Sequence, residues 1–367
     1  MFQILAINPG STSTKIGLFE DDTVIFKATL EHPASELEQF RDFSEQKPYR
    51  REKILEVLQN ARIDLNTIDA FVGRGGGQET MVSGTYHINK LAYEHARIGY
   101  RARHPALLGC QIAYDLGEQY TKQAFMVNPP CVDEFIDEAR ISGMKGIRRI
   151  SHTHALNQKE VGIRFAKQQG KEYQQLNLII AHIGGGISVT AHRKGKMIDS
   201  NDCLGSSGPF APTRCGDLPT VALMKLCYSG QYSESEMYEM LTKSGGLVSY
   251  LGTSDVREVR RKIAQGDEYA AMIMRAMVYQ IEKEIGSMAA ALKGQVDTIL
   301  LTGGVSNDEE LVRTIEQDMG FVAPVLAMPG EFELEAMANG VLRVLQGEES
   351  AREYTGVPVF RTDWFGD

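Results

Sequence analysis

The chain has 367 residues, 43% hydrophobic and 24% charged, which at roughly 150 residues per domain predicts two domains with ample core and argues against disorder. Its 39 Lys and Arg against 48 Asp and Glu leave a net charge of −9, a poor match to nucleic acid or an acidic membrane surface, so neither is expected as a partner. Five cysteines, an odd count with no C-x-x-C pair, suggest neither a disulfide framework nor a zinc ribbon and fit a cytoplasmic location.

Residues 1–7 are apolar but lack a basic n-region and reach Asn8-Pro9-Gly10 too soon for a signal peptide. No run approaches membrane-spanning length. Four apolar runs each end in a glycine-bearing turn: residues 4–7 before N-P-G-S-T-S-T-K, 71–72 before G-R-G-G-G, 178–181 before H-I-G-G-G, and 299–301 before T-G-G-V-S-N. Buried strands account for the apolar halves and glycine for the turns. The first and third runs continue into strand-like stretches at 14–19 and 187–191, then a turn, then 24–26 and 197–198. Strand, hairpin, strand, hairpin, strand thus occurs twice, and predicts a duplicated α/β domain with a cleft between the copies. Residues 140–154, glycine-rich and basic, suit a hinge. Residues 270–292 and 331–345 read as helices, the second stopped at Gly347. Met237, Met272, Met274, Met277 and Met288 are read as core filling. The tail beyond Gly356, with Trp364, is expected on the surface or at a subunit contact.

The hydroxyl-rich turn at Asn8, Ser11 and Ser13, ending in Lys15, offers N–H groups, hydroxyls and a cation to a phosphate. A polar hairpin turn explains the same segment, which alone leaves both readings open. It is not a Walker A loop, because G-x-x-x-x-G-K-[ST] is absent. His182-Ile183-Gly184-Gly185-Gly186-Ile187-Ser188 stands at the equivalent point of the second half. A tight turn would explain one such cluster, but two polar turns at matching positions favour a shared phosphate cradle. Gly303 and Gly304, with Asn307, could let a purine or ribose approach the backbone, and ordinary strand-to-helix punctuation explains the same turn.

Across essentially its whole length the sequence resembles the acetate and butyrate kinase family of the sugar kinase, Hsp70 and actin superfamily. The matching segments are I-N-P-G-S-T-S-T-K, V-G-R-G-G, V-D-E-F, A-H-I-G-G-G-I-S, P-T-R-C-G-D-L-P, L-T-G-G and P-G-E-F-E-L-E-A-M-A. Acetate kinases usually have H-L-G-N-G where H-I-G-G-G stands here, and are longer, which favours the butyrate kinase branch. The resemblance implies duplicated ribonuclease H-like (actin-like ATPase) domains with an interdomain cleft, one of residues 1–150 plus about 336–367 and a nucleotide-binding one of 151–335. It implies reversible transfer of the ATP γ-phosphoryl group to a short-chain carboxylate such as butyrate, giving an acyl phosphate and ADP, with Mg²⁺, in a homodimer or higher homo-oligomer.

By the same resemblance Arg74, Asp133, His154, His182 and Arg214 are the catalytic set, one arginine from each domain clamping the reacting groups. Asn8, Ser11, Ser13, Lys15, Gly184, Gly185, Gly186, Gly303 and Gly304 would hold the nucleotide. Glu333, with Glu331 and Glu335 as alternatives in the same acidic run, and Asn8 through water would face the metal. The family commonly carries an Asn shortly after the histidine where this chain has His104-Pro105-Ala106-Leu107-Leu108, and an acyl pocket is guessed within residues 86–108. The carboxylate is already ionised, so direct in-line transfer is preferred to a phosphoenzyme on Asp133, Glu333 or His154. The rival classes are acetate, propionate or branched-chain acid kinases, an actin-like filament or chaperone ATPase, and a sugar-sensing regulator. No helix-turn-helix segment is recognised before Met1-Phe2-Gln3, which disfavours the regulator, and no separate peptide-binding domain is recognisable, which disfavours the chaperone.

Overall fold

A computed structural model describes residues 1–205 and 207–365. Its contacts divide the chain into two units, Met1–Asp133 with Phe332–Asp367, and Glu134–Glu331.

The first unit holds a seven-stranded sheet. Its strands are β1 (Gln3–Pro9), β2 (Ser13–Glu20), β3 (Thr23–Glu31), β4 (Ala70–Gly73), β5 (Thr85–His87), β6 (Gln123–Val127) and, last in the chain, β12 (Arg352–Glu353), in the order β12-β5-β6-β4-β1-β2-β3. β1 is apolar and buried on both faces. Leu5 and Ile7 enter a core with Leu108, Ile112 and Leu116 of the helix Leu107–Tyr120. Ala6 faces the other way, and on that side its partner Gly17 lies against Leu334 of the helix Glu333–Leu345.

The second unit holds β7 (Asn177–Ile183), β8 (Ile187–Arg193), β9 (Lys196–Ser200), β10 (Thr298–Thr302) and β11 (Val325–Ala327), ordered β11-β10-β7-β8-β9. Ile179, Ala181 and Ile183 share a core with Met274, Met277, Ile281 and Ile285 of the helix Glu268–Ala291. The helix Ala155–Gln168 packs on β7 and β10.

The duplication read from the turns is present as topology. β3-β2-β1 and β9-β8-β7 are antiparallel meanders. Each continues through two parallel neighbours, β4 then β6 and β10 then β11.

The unit boundaries differ from the expected 150 and 335. Residues 140–154 are not a separate hinge but part of the second unit, because polar bonds fasten the stretch from Glu134 onward to its sheet. Ile136 N–H donates to Ile198 O at 3.1 Å, and Arg149 donates to Asp199 at 2.8 Å and to Ser200 O at 2.8 Å. Lys159 donates to Glu134 at 2.6 Å. At the other end, Glu333 begins the helix that packs on the first sheet.

Four of the five methionines are core residues, whereas Met272 is 46% exposed. Trp364 is exposed under the Arg361 guanidinium, 3.9 Å from its ring centroid. No helix among the described residues is long and apolar enough to cross a membrane.

Candidate functional site

In the first unit the β1–β2 hairpin sets Asn8 opposite Lys15 and Pro9 opposite Thr14. Ser11 and Thr12 are exposed and Ser13 is half-buried. Every carbonyl of the turn is tied inward. Gly10 O, Ser11 O and Ser13 O accept from the Arg50 guanidinium at 2.9, 2.9 and 3.0 Å, and Thr12 O accepts from His32 N–H at 2.8 Å. Arg50 also donates to Gln46 Oε1 and Thr14 Oγ1 and is completely buried. With its carbonyls occupied from below, the turn leaves Ser11 and Thr12 exposed, with hydroxyls an anion can reach. Arg50 escaped the sequence reading because Tyr49-Arg50-Arg51-Glu52-Lys53 has the composition of a solvated helix face.

Arg74 follows β4, its N–H donating to Ile7 O at 2.9 Å and its carbonyl accepting from Cys110 N–H at 2.9 Å. Its guanidinium is paired with Glu333 Oε1, while Asn8 Nδ2 donates to Glu333 Oε2 at 2.6 Å. Three predicted residues from distant parts of the sequence are thereby joined on one carboxylate. Of the competing acids, Glu335 pairs with Lys27 at 3.2 Å and Glu331 is an exposed residue of the other unit. Asp133, 4% exposed, follows the bridge between Met81 and Val132 and donates its N–H to Met81 O at 2.8 Å. Leu107 and Leu108, in the segment where the family's Asn was missed, are core residues. Leu107 backs the Arg74 turn, 3.0 Å from where a Cβ on Gly77 would sit.

In the second unit His182, 4% exposed, is the last residue but one of β7. His154 caps the helix Ala155–Gln168 and stacks on it, ring centroids 3.8 Å apart and planes within 11°. Asn157 Nδ2 approaches His182 Nδ1 at 2.9 Å and Thr302 Oγ1 at 3.1 Å. Thr213 N–H and Oγ1 both donate to Gly185 O, at 3.2 and 2.8 Å, which brings the P-T-R-C-G-D segment onto the glycine turn. A Cβ on Gly186 would lie 1.8 Å from Arg214 Nη1, so only glycine lets that guanidinium lie across the turn. Arg214 Nη1 donates to Cys203 O at 2.6 Å, and burial pushes the Cys203 thiol up to about 12, opposed by Arg214. Gly303 has φ 88°, and a Cβ there would be 2.4 Å from Ile183 O, so the third glycine turn abuts the end of β7. Among the described residues, chain neighbours aside, a Cβ on Gly304 would meet no atom within 4 Å, and one on Gly185 only Thr213 Oγ1 at 3.9 Å.

Arg74 Nε and Arg214 Nε are buried and meet no acceptor among the described residues. A buried donor left unmatched is costly, and an incoming anion would supply what is missing. Among the described residues no three His, Cys, Asp or Glu side chains gather as a metal cage.

A family model described as the Acetokinase family matches residues 138–323. The chain is 44% identical over 354 residues to a protein named butyrate kinase 1 from Clostridium acetobutylicum, covering 96% of this chain and 100% of that one. It is 44% identical over 353 residues to a probable butyrate kinase of Clostridium botulinum, covering 96% and 99%. Among solved structures it resembles Porphyromonas gingivalis acetate kinase, with TM-score 0.77, 22% identity and coverage of 93% and 99%. A propionate kinase from Francisella tularensis follows at 0.73, 19%, and the same coverage. At these identities the structural likenesses establish the fold, the actin-like ATPase fold with its two α/β domains.

Proposed function

Because the chain belongs to the Acetokinase family, we propose that it transfers the γ-phosphoryl group of ATP to a short-chain carboxylate, with butanoate the preferred acceptor. The products are butanoyl phosphate and ADP, and the reaction is reversible. The observation that carries this reading is the pair of buried Nε donors on Arg74 and Arg214, each in a glycine-bearing turn and each lacking an acceptor that a carboxylate or phosphoryl oxygen would provide.

The carboxylate is the nucleophile and is ionised near neutrality, so the protein has little proton transfer to perform. Positioning and charge neutralisation are what it must supply. Arg74 and Arg214 hold reacting oxygens through forked N–H donors. The Ser11, Ser13 and Lys15 side chains and the glycine turns at Gly184, Gly185, Gly186, Gly303 and Gly304, most open at Gly185 and Gly304, take the nucleotide, and His154 and His182 donate N–H groups to oxygens of the transferring phosphoryl. Asp133, a buried carboxylate of the first unit, would orient groups already bound.

Glu333 and, through water, Asn8 would hold Mg²⁺. The Glu333 carboxylate accepts from Arg74 and Asn8, and a carboxylate facing a hydrated cation is the mode Mg²⁺ prefers. The ion would neutralise charge on the phosphate oxygens.

A straight acyl tail offers nothing to hydrogen-bond, so chain length is read by apolar contact alone, at about 1–3 kcal/mol per methylene. A hydroxamate assay of acyl phosphate formation with ATP and Mg²⁺, run from acetate to isovalerate, should give graded rates with butanoate near the top and acetate lowest. The highest kcat/KM on acetate would replace butanoate by acetate as the acceptor.

A further inference from the structure

The buried polar groups behind His154 form a chain whose bonds can be assigned in order. The one shared donor is Gln158 Nε2, whose two hydrogens go to the nearer acceptors Ser188 O and Ser188 Oγ, both at 2.9 Å, with Ile180 O at 3.3 Å a weaker third. Carbonyls only accept, so this end of the amide is the nitrogen, and Gln158 Oε1 is the acceptor presented to His192 Nε2 at 3.3 Å. His192 Nε2 therefore carries the ring proton. Burial holds the His192 pKa well below its usual value and the Tyr173 hydroxyl well above its own, so both are neutral. His192 Nδ1 is then a bare acceptor, and Tyr173 donates to it at 2.5 Å.

The other end of the chain is equally constrained. Ser188 Oγ receives Gln158 Nε2–H at 2.9 Å and the backbone N–H of His154 at 3.4 Å. Those two donors occupy its lone pairs, and its one proton is left for His154 Nδ1, 2.7 Å away. Gln158, Ser188 and His192 are all essentially inaccessible to solvent, so water does not compete for these bonds.

We propose that Tyr173, His192, Gln158 and Ser188 are a one-directional hydrogen-bond relay that fixes His154 as the neutral imidazole with its proton on Nε2. They are positioning residues for phosphoryl transfer, and their role rests on the reading of His154 as a group that faces the phosphoryl. A ring locked this way presents an N–H donor without needing to be charged beside the stacked His182 ring. It also prevents the tautomer in which a bare nitrogen would confront a phosphate oxygen.

The test is ¹⁵N NMR of histidine-labelled full-length protein, in which only eight histidines contribute, with His154 assigned by its loss in His154→Gln. The expected spectrum shows a pyrrole-type Nε2 and a pyridine-type Nδ1 for His154 near neutral pH. In Ser188→Ala the signals should shift towards a tautomer mixture, with kcat lower by roughly 10–100-fold, the usual cost of losing a group that orients a functional histidine, and KM for the carboxylate little changed. Tyr173→Phe, which touches neither His154 nor substrate, should move both readouts the same way by less. A His154 imidazolium or Nδ1–H tautomer in the unaltered protein would overturn the relay, and so would a folded Ser188→Ala protein of unchanged kcat. Full activity in His154→Gln would instead overturn the phosphoryl-facing reading beneath it, a failure that leaves the Nε2–H spectrum intact and is recognised by that.

Discussion

His154 lies flat on His182, the two rings 3.8 Å apart and 11° from parallel. Their Nδ1 atoms are engaged from opposite sources, Ser188 on one and Asn157 on the other. Each ring is thus held through Nδ1 by a neighbour and against its face by the other. Residues in such contact do not act independently. His154→Ala and His182→Ala should each reduce kcat by roughly 10²–10³-fold, the scale for losing one preorganised donor. The double variant should fall short of the product of the two, because the first truncation already frees the second ring. A fully multiplicative double variant would show that the stacking has no part in holding either ring.

The Glu333 carboxylate bridging Asn8 and Arg74 gives a second expectation. Arg74→Ala and Arg214→Ala should lower turnover by roughly 10²–10³-fold. Arg74→Lys should recover little of it, because an ammonium keeps the charge but not the planar fork. The fold should survive, since Glu333 keeps its bond from Asn8 at 2.6 Å. Near wild-type kcat in a folded Arg214→Ala protein would remove that arginine from the chemistry.

What could be read in advance was whatever leaves a local mark. Strands such as β1 and β7 announce themselves as unbroken apolar runs, and the glycine turns after them need residues without a side chain, as Gly186 does under Arg214. The duplicated order of those marks was enough for the two-fold α/β plan. The buried polar supports left no such mark. Asn157, Gln158, Lys159 and Glu160 form a consecutive polar run that composition assigns to solvent, yet all four are buried, the partners of the first three lying on β7, β8 and β10 and in the loops around them, and Glu160 accepting from Arg164 one turn along its own helix. The Glu134 boundary was missed for the same reason, since it is fixed by its pairing with Lys159 and not by any shift in composition.

Arg50 is the corresponding case in the first unit, and it predicts a split between binding and stability. Replacing it by Met would strand the carbonyls of Gly10 and Ser11 and the Gln46 side chain, at about 1–3 kcal/mol for each acceptor left unsatisfied. Burial already lowers the Arg50 pKa to about 10, so the site tolerates no uncompensated loss of its partners. Arg50→Lys keeps the charge but offers one compact ammonium to acceptors that a fork serves now. Both variants should unfold at lower denaturant and show a raised KM for ATP, Lys less than Met. A lowered midpoint with ATP kinetics unchanged would confine Arg50 to stability alone.

The same turn makes the first unit sensitive to acid. Tyr49 donates its hydroxyl proton to Glu36 at 2.7 Å, so its oxygen accepts from His32 Nδ1–H at 3.1 Å, and His32 Nε2 is left bare to accept from Thr14 Oγ1 at 2.8 Å. Burial first, then the Arg50 charge, lowers the His32 pKa from 6.5 to about 4. Between those values the unfolded chain holds a proton that the folded one refuses. The contribution of neutral His32 is therefore complete above pH 6.5 and is lost as the pH falls towards 4. Denaturant melts of the protein and of His32→Gln at a series of pH values isolate this group, since His192 and every other titrating residue are common to both. The stability advantage of His32 over Gln should shrink on acidification with a slope approaching about 1.4 kcal/mol per pH unit. A difference that stays constant from pH 7 to pH 4.5 would mean that His32 takes up its proton as readily in the folded protein as in the unfolded chain, and the bare Nε2 facing Thr14 would no longer describe the site.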